Sequence, residues 1–104
     1  MIEFKHERFR DEGKFFFSIN NSQKMIGFVQ VWSQSLEGVL IEVVYDEKVS
    51  NHLKISLYKY MERILRRKGV IFLSVSKDWS DCELLIKHLG YSEDKSGYLS
   101  KDLT

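Results

Sequence analysis

Gly38-Val39-Leu40-Ile41-Glu42-Val43-Val44-Tyr45 is an apolar run with one interior charge, and Val70-Ile71-Phe72-Leu73-Ser74-Val75 is a second run of similar character. Between them Leu53, Leu57, Tyr60, Met61, Ile64 and Leu65 recur at helical spacing, with Lys54, Lys59, Glu62, Arg63 and Arg66 largely off that stripe. Ser50 or Asn51 can cap the start of this helix. Arg66-Arg67-Lys68 before Gly69 is a stop signal, with cations against the negative helix end. A strand, a long helical crossover and another strand make the two runs parallel neighbours in one sheet. The second run has the near-continuous apolar character of a strand buried on both faces.

Upstream, the pattern is one of short strands joined by turns. Ile2 to Phe9 alternates apolar Ile2 and Phe4 against Glu3 and Lys5, and Asp11-Glu12-Gly13 reads as a turn. Lys14 to Ile19 is a second strand, aromatic at Phe15, Phe16 and Phe17, and Asn20-Asn21-Ser22-Gln23 has turn chemistry. Met25 to Trp32 follows as a third strand. Short connections between successive strands predict an antiparallel meander leading into Gly38 to Tyr45. Downstream, Ser80-Asp81-Cys82-Glu83 has the form of a capping box opening a short helix through Leu84, Leu85 and Leu89, which Gly90 ends. The tail from Tyr91 to Leu103 supplies one or two final strands. The expected fold class is α+β: a mixed sheet of about six or seven strands with two main helices.

Composition narrows the classes of function. A chain of 104 residues predicts one domain spanning residues 1–104. Hydrophobic content of 43% and charge of 30% are those of an ordinary globular protein. A net charge of +1 gives no global field to recruit nucleic acid or an acidic membrane. The single cysteine, Cys82, rules out an internal disulfide framework and fits a reducing compartment. No apolar run is long enough to span a bilayer, and the first residues lack the basic-then-apolar layout of a signal peptide. A cytoplasmic location is expected.

Gly27-Phe28-Val29, Leu89-Gly90-Tyr91 and Leu99-Ser100-Lys101-Asp102-Leu103, in this order along the chain, together resemble motifs of the GNAT superfamily of acyl-CoA-dependent N-acyltransferases. Leu89-Gly90-Tyr91 after a short helix is similar to the family's Leu-Gly-Phe/Tyr. Leu99-Ser100-Lys101-Asp102-Leu103 is similar to its closing Met-x-Lys-x-Leu strand, and Gly27-Phe28-Val29 to a run in its third strand. The resemblance covers the chain from Lys14 onward. It lacks the helical pair that normally follows the family's first strand, which implies a minimal version with an open acceptor face.

The resemblance implies a site for acetyl-CoA or a related acyl-CoA at the junction of the Gly38 strand and the first helix. The family's Val-x-Pro-x-x-Arg/Gln-x-x-Gly-x-Gly lies without a gap on Val44, Asp46, Val49, His52 and Lys54. By that alignment the backbone of Val43, Val44 and Tyr45 bonds the pantetheine arm, and Ser50, Asn51, His52, Leu53 and Lys54 hold the pyrophosphate at the helix N-terminus. His52 and Lys54 stand where glycines let the backbone approach phosphate closely, and Val49 stands at the Arg/Gln position. The signature is degenerate.

Acyl transfer to an amine needs a base for the ammonium and an acid for the leaving thiolate. The resemblance assigns the base to a glutamate on the fourth strand, and Glu42 is the carboxylate inside that strand. Partial burial would suit Glu42 to this task; the alternative is a carboxylate turned to solvent or to a neighbouring lysine. The family's acid is a tyrosine four residues before the glycine of Leu-Gly-Phe, and that position holds Ile86. No acid is identified. The family's asparagine ahead of the second helix corresponds to Ser80, whose capping role accounts for it.

Other constellations are weaker. His6, His52 and His88 are scattered and no Cys or His pair has ligand spacing, so no metal site is expected. Phe15-Phe16-Phe17 has the look of a base-stacking platform, but basic residues do not cluster around it, and nucleic acid is not the expected partner. Trp79, just before the second helix, is placed to gate or plug the pantetheine slot. Two functions follow. One is an N-acyltransferase acting on an amine of a protein or other large acceptor, or at a site completed in a homodimer. The other is a pseudoenzyme of the same fold that binds a protein partner, as an inhibitor or adaptor encoded by a mobile element would.

Overall fold

The structure, a computed structural model, describes residues 1–9 and 13–104. Seven strands and two helices follow one another as β1 (Ile2–Phe9), β2 (Lys14–Asn21), β3 (Lys24–Gln34), β4 (Glu37–Tyr45), α1 (Asn51–Arg67), β5 (Phe72–Ser76), α2 (Cys82–Leu89), β6 (Ser92–Glu93) and β7 (Tyr98–Asp102). They form one sheet in the order β1-β2-β3-β4-β5-β7-β6. Among the described residues only β4 and β5 pair in parallel. The expected α+β mixed sheet, with its antiparallel meander and single parallel pair, is what the chain forms. Apart from Gly13, the turn expected at Asp11-Glu12-Gly13 lies outside the described residues. Among the described residues, no helix is long and apolar enough to cross a membrane.

The two crossovers, β4-α1-β5 and β5-α2-β6, advance in the same direction across the sheet. Right-handed connections therefore bring both helices to one face, and Tyr58 of α1 reaches Asp81 at the start of α2. The core lies between that face and α1: Phe15, Phe17, Val29, Val31, Leu73 and Val75 meet Leu57, Tyr58, Met61 and Leu65. The opposite face carries no helix among the described residues. Phe16 stacks on Phe28 there at 4.8 Å, and Trp32, Ile41, Val44 and Tyr98 are exposed on it.

Four local readings change. The strand expected at Val70–Val75 begins at Phe72, because Val70 is used in the helix stop, where its N–H bonds Leu65 O and Gly69 takes φ +92°. Only Leu73 and Val75 of β5 are fully buried, since the bare face leaves Phe72 and Ser74 half-covered. Glu62, expected off the apolar stripe of α1, is buried and paired with Lys101 of β7 at 2.8 Å. At the start of α2 the N-cap is Asp81, not Ser80, and no side chain caps the helix.

Two bulges set which side chains face which side. In β3 the extra residue is Ile26, and in β4 it is Ile41, since Val31 pairs with Leu40 while Gln30 pairs with Glu42. Before the bulge Gly38 and Leu40 face the core. After it Val43 and Tyr45 do, and Glu42 stands exposed on the bare face. Without that insertion the period-2 alternation would bury Glu42 under α1.

Candidate active site

The parallel pairing of β4 and β5 is short: Glu37 with Phe72, Gly38 with Leu73, and Val39 with Ser74. Beyond Val39 the strands separate, and β4 runs on to Tyr45 without a neighbour on that side. In an antiparallel ladder, a residue directs both its backbone groups to the same side and the next residue to the other. Asp46 N–H bonds Ile26 O at 2.8 Å, so Val44 faces β3, whereas Val43 and Tyr45 present N–H and C=O to the opening. Among the described residues nothing bonds those groups. Unpaired backbone groups on a half-buried strand segment are a binding edge.

The opening ends at the N-terminus of α1. Ser50 caps it, with Oγ accepting from Leu53 N–H at 3.2 Å and its carbonyl from Lys54 N–H at 3.1 Å. That leaves the N–H groups of Asn51 and His52, which bond no described residue and carry the positive end of the helix dipole. There is no acidic residue in the first turn to neutralise it. Lys54 folds back over the Tyr45 ring, its Nζ 4.6 Å from the centroid. A cleft of about 330 Å³ lies between the starts of the two helices, lined by Asn51, Lys54, Ser80, Asp81, Lys87 and His88 among others. A larger one, about 720 Å³, opens on the other side of the β4–α1 loop between Lys24 and Lys48; it shares Tyr45 and Leu53 with the site but has mixed charge from Asp46 and Glu47.

On the helix side a polar network spans the gap between β4 and α2. Asp81 Oδ2 accepts from the hydroxyls of Tyr45 at 2.7 Å and Tyr58 at 2.6 Å. The indole Nε1 of Trp79 donates to the Tyr58 hydroxyl at 2.9 Å. Burial, the neighbouring Tyr58 and the Asp81 carboxylate push the ionisation of Tyr45 far above the usual tyrosine value. Burial and the bond to Asp81 do the same for Tyr58. Both hydroxyls stay protonated, as donors to Asp81. Asp81 and Tyr58 were not singled out from the sequence as polar partners. The available signal was two tyrosines on apolar faces, whose hydroxyls need an acceptor once buried.

The structure thus gathers Val43, Tyr45, Asn51, His52 and Lys54 around one opening. Val44 spends its backbone on β3 and shows its side chain to the bare face, and the N–H groups of Leu53 and Lys54 are used within the cap. Glu42 projects from the same strand on the bare face, exposed rather than half-buried. Ile86 is half-exposed on α2 and offers no proton. Trp79 is half-buried against the core at the mouth of the opening. Among the described residues, no cluster of His, Cys, Asp and Glu has the form of a metal site.

No protein-family model matches the chain, and no curated protein sequence does either. Solved structures do. The ribosomal-protein-S18-alanine N-acetyltransferase of Escherichia coli superposes with a TM-score of 0.75 at 17% identity, over 89% of this chain and 71% of that one. The aminoglycoside 6'-N-acetyltransferase of Enterococcus faecium gives 0.72 at 16% identity, over 88% and 74%. A GNAT family N-acetyltransferase of Escherichia coli in complex with CoA gives 0.70 at 14%, over 86% and 59%. Sequence identities this low leave the architecture as the shared property: the chain has the GNAT fold, that of the acyl-CoA-dependent N-acyltransferases.

Proposed function

We propose that the chain transfers an acyl group from acetyl-CoA or a related acyl-CoA to an amine carried by a protein or other large acceptor. The observation that carries this reading is the free backbone edge of Val43 and Tyr45, opening beside the uncapped N–H groups of Asn51 and His52. An extended amide-bearing arm fits the first and a diphosphate the second. The residues present therefore fit the group, although side chains at His52 and Lys54 hold a phosphate further from the backbone than glycines would. Bound acyl-CoA supplies the activated thioester.

Glu42 takes the proton of the acceptor ammonium on the bare face. Bound acyl-CoA would offer its thioester carbonyl to the freed nitrogen; as the C–N bond forms and the C–S bond breaks, the nitrogen would pass its second proton to water. Ile86 has no proton to give, so water protonates the departing thiolate. The exposed setting of Glu42 admits a large acceptor. Titration calorimetry with acetyl-CoA tests the reading: saturable heat is expected, and none at about 1 mM overturns it.

A second reading has its own observation. The bonds among Tyr45, Tyr58, Trp79 and Asp81 close the helix side of the opening with the protein's own side chains. A fold so filled serves as a catalytically silent module that binds a protein partner. Absence of acetyl-CoA heat together with a stable stoichiometric complex in gel filtration would favour it.

A further inference from the structure

The bare face of the sheet has an uneven character. Along one row of the register Trp32 of β3 pairs with Val39 of β4, which pairs with Ser74 of β5. Phe72 and Tyr98 lie on either side of that row, on the same face. Two grooves, of about 420 and 300 Å³, meet at Val39: one holds Trp32, Leu36 and Glu37, the other Phe72, Asp94 and Tyr98. Trp32 is 40% exposed, Leu36 52% and Tyr98 48%. A contiguous apolar surface of this kind on a folded domain marks a binding face.

Its charge says what it binds. Glu37 and Asp94 line the grooves, Asp102 pairs with Phe72 and Glu42 projects beside Ile41, while among the described residues no Lys or Arg lines either groove. Among the described residues the nearest cation in the register is Lys14 of β2, the cross-strand partner of Trp32 at the edge of this surface. An acidic rim repels nucleic acid and anionic lipid. It also sets like charge against like charge if two copies meet face to face. We propose that this face docks a segment of a partner protein that is rich in lysine or arginine, with apolar side chains that cover Trp32 and Phe72. The segment's cations meet Glu37, Asp94 and Asp102, and its apolar residues fill the two grooves.

The probe is a fluorescently labelled peptide of about a dozen residues alternating lysine with leucine, compared with one alternating glutamate with leucine, by anisotropy at physiological salt. Saturable binding of the lysine peptide alone is expected, weakened at least about tenfold by Glu37→Lys with Asp102→Lys and by Trp32→Ala. Circular dichroism establishes that each variant is folded, and the exposed Glu37→Lys, Asp102→Lys pair carries the test if Trp32→Ala is not. No saturation by about 1 mM overturns the proposal. Equal binding of the two peptides, or no change in the charge-reversed variant, does so as well. A dimer in sedimentation that shields Trp32 from acrylamide quenching assigns the face to a second copy and also overturns it. None of these outcomes depends on whether acetyl-CoA binds.

Discussion

The Tyr58 hydroxyl donates to Asp81 Oδ2 at 2.6 Å, and Tyr45 donates to the same oxygen at 2.7 Å. One carboxylate thereby ties the end of β4, the middle of α1 and the start of α2 together across the gap that β4 and β5 leave. Hydrogen bonds to a charged group contribute about 1.5–3 kcal/mol each, and a buried hydroxyl left without a partner costs about 1–3 kcal/mol. Asp81→Ala strands two such hydroxyls and should lower stability by about 3 kcal/mol in urea melts. Tyr58→Phe should cost roughly half as much. In a Tyr45→Phe, Tyr58→Phe background the Asp81→Ala change should cost far less than in the parent, because no donor is left to strand.

The same burial makes the fold sensitive to alkali. Tyr45, Tyr58 and Tyr91 all ionise well above the ordinary tyrosine value when folded, with burial the leading cause and the nearby carboxylates of Asp81 or Glu62 adding to it. In the unfolded chain they ionise near about 10. Above that pH the unfolded state has released protons that the native state keeps, so stability falls as pH rises. Each tyrosine contributes a slope of up to about 1.4 kcal/mol per pH unit. Stability should be flat through neutrality and drop steeply above about pH 10. Tyrosinate absorbance of these residues should appear together with loss of the fold, not before it.

Periods and stop signals in the sequence carried most of this fold. Helical spacing from Leu53 to Leu65, the Gly69 stop and the short turns of the meander all locate their elements to within a few residues. The bulge at Ile41 was not legible, because a one-residue insertion leaves an apolar strand looking equally apolar; yet it decides that Glu42 faces out. Asp81 was hidden differently. It follows Ser80 where capping chemistry is common, and only the fold shows that its acceptor is spent on tyrosines more than twenty residues away. The candidate site was legible as an alignment of positions. Which backbone groups were free could come only from where β4 and β5 part.

Gly27 of β3 tests how tightly this arrangement is packed. A Cβ there would lie 2.8 Å from Tyr45 Cδ1 and 3.3 Å from the Val44 carbonyl oxygen. Gly27→Ala should push the Tyr45 ring away from Asp81 and destabilise by about 1–3 kcal/mol. Paired with Tyr45→Ala the two costs should sum to less than their separate values, since the ring that clashes is already gone. Additive costs in urea melts would place the strain on the Val44 backbone instead.

Glu62 and Lys101 bind α1 to β7 away from the opening. Oε1 of Glu62 is 2.8 Å from Lys101 Nζ, while Oε2 is buried without a bond. Lys101→Met should therefore be severe, about 3–5 kcal/mol, because it leaves a buried carboxylate with no counter-charge. Glu62→Leu combined with Lys101→Met should recover most of that loss, as an apolar pair of similar volume needs no compensation. Thermal melts of the two variants decide the point.

Glu42 separates catalysis from architecture. Its side chain is exposed on the bare face opposite Gln30, so Glu42→Gln should change stability by no more than about 0.5 kcal/mol. The backbone edge of Val43 and Tyr45 is untouched by the change, and acetyl-CoA heat should be preserved. Turnover with an amine acceptor should fall by about 10²–10⁴-fold, the range for loss of a general base. Raising the pH should restore part of it, because an acceptor amine already deprotonated in solution needs no base. A Glu42→Gln variant that binds acetyl-CoA and turns over at the parental rate would remove Glu42 from the chemistry. The ammonium would then lose its proton to water across the same open face.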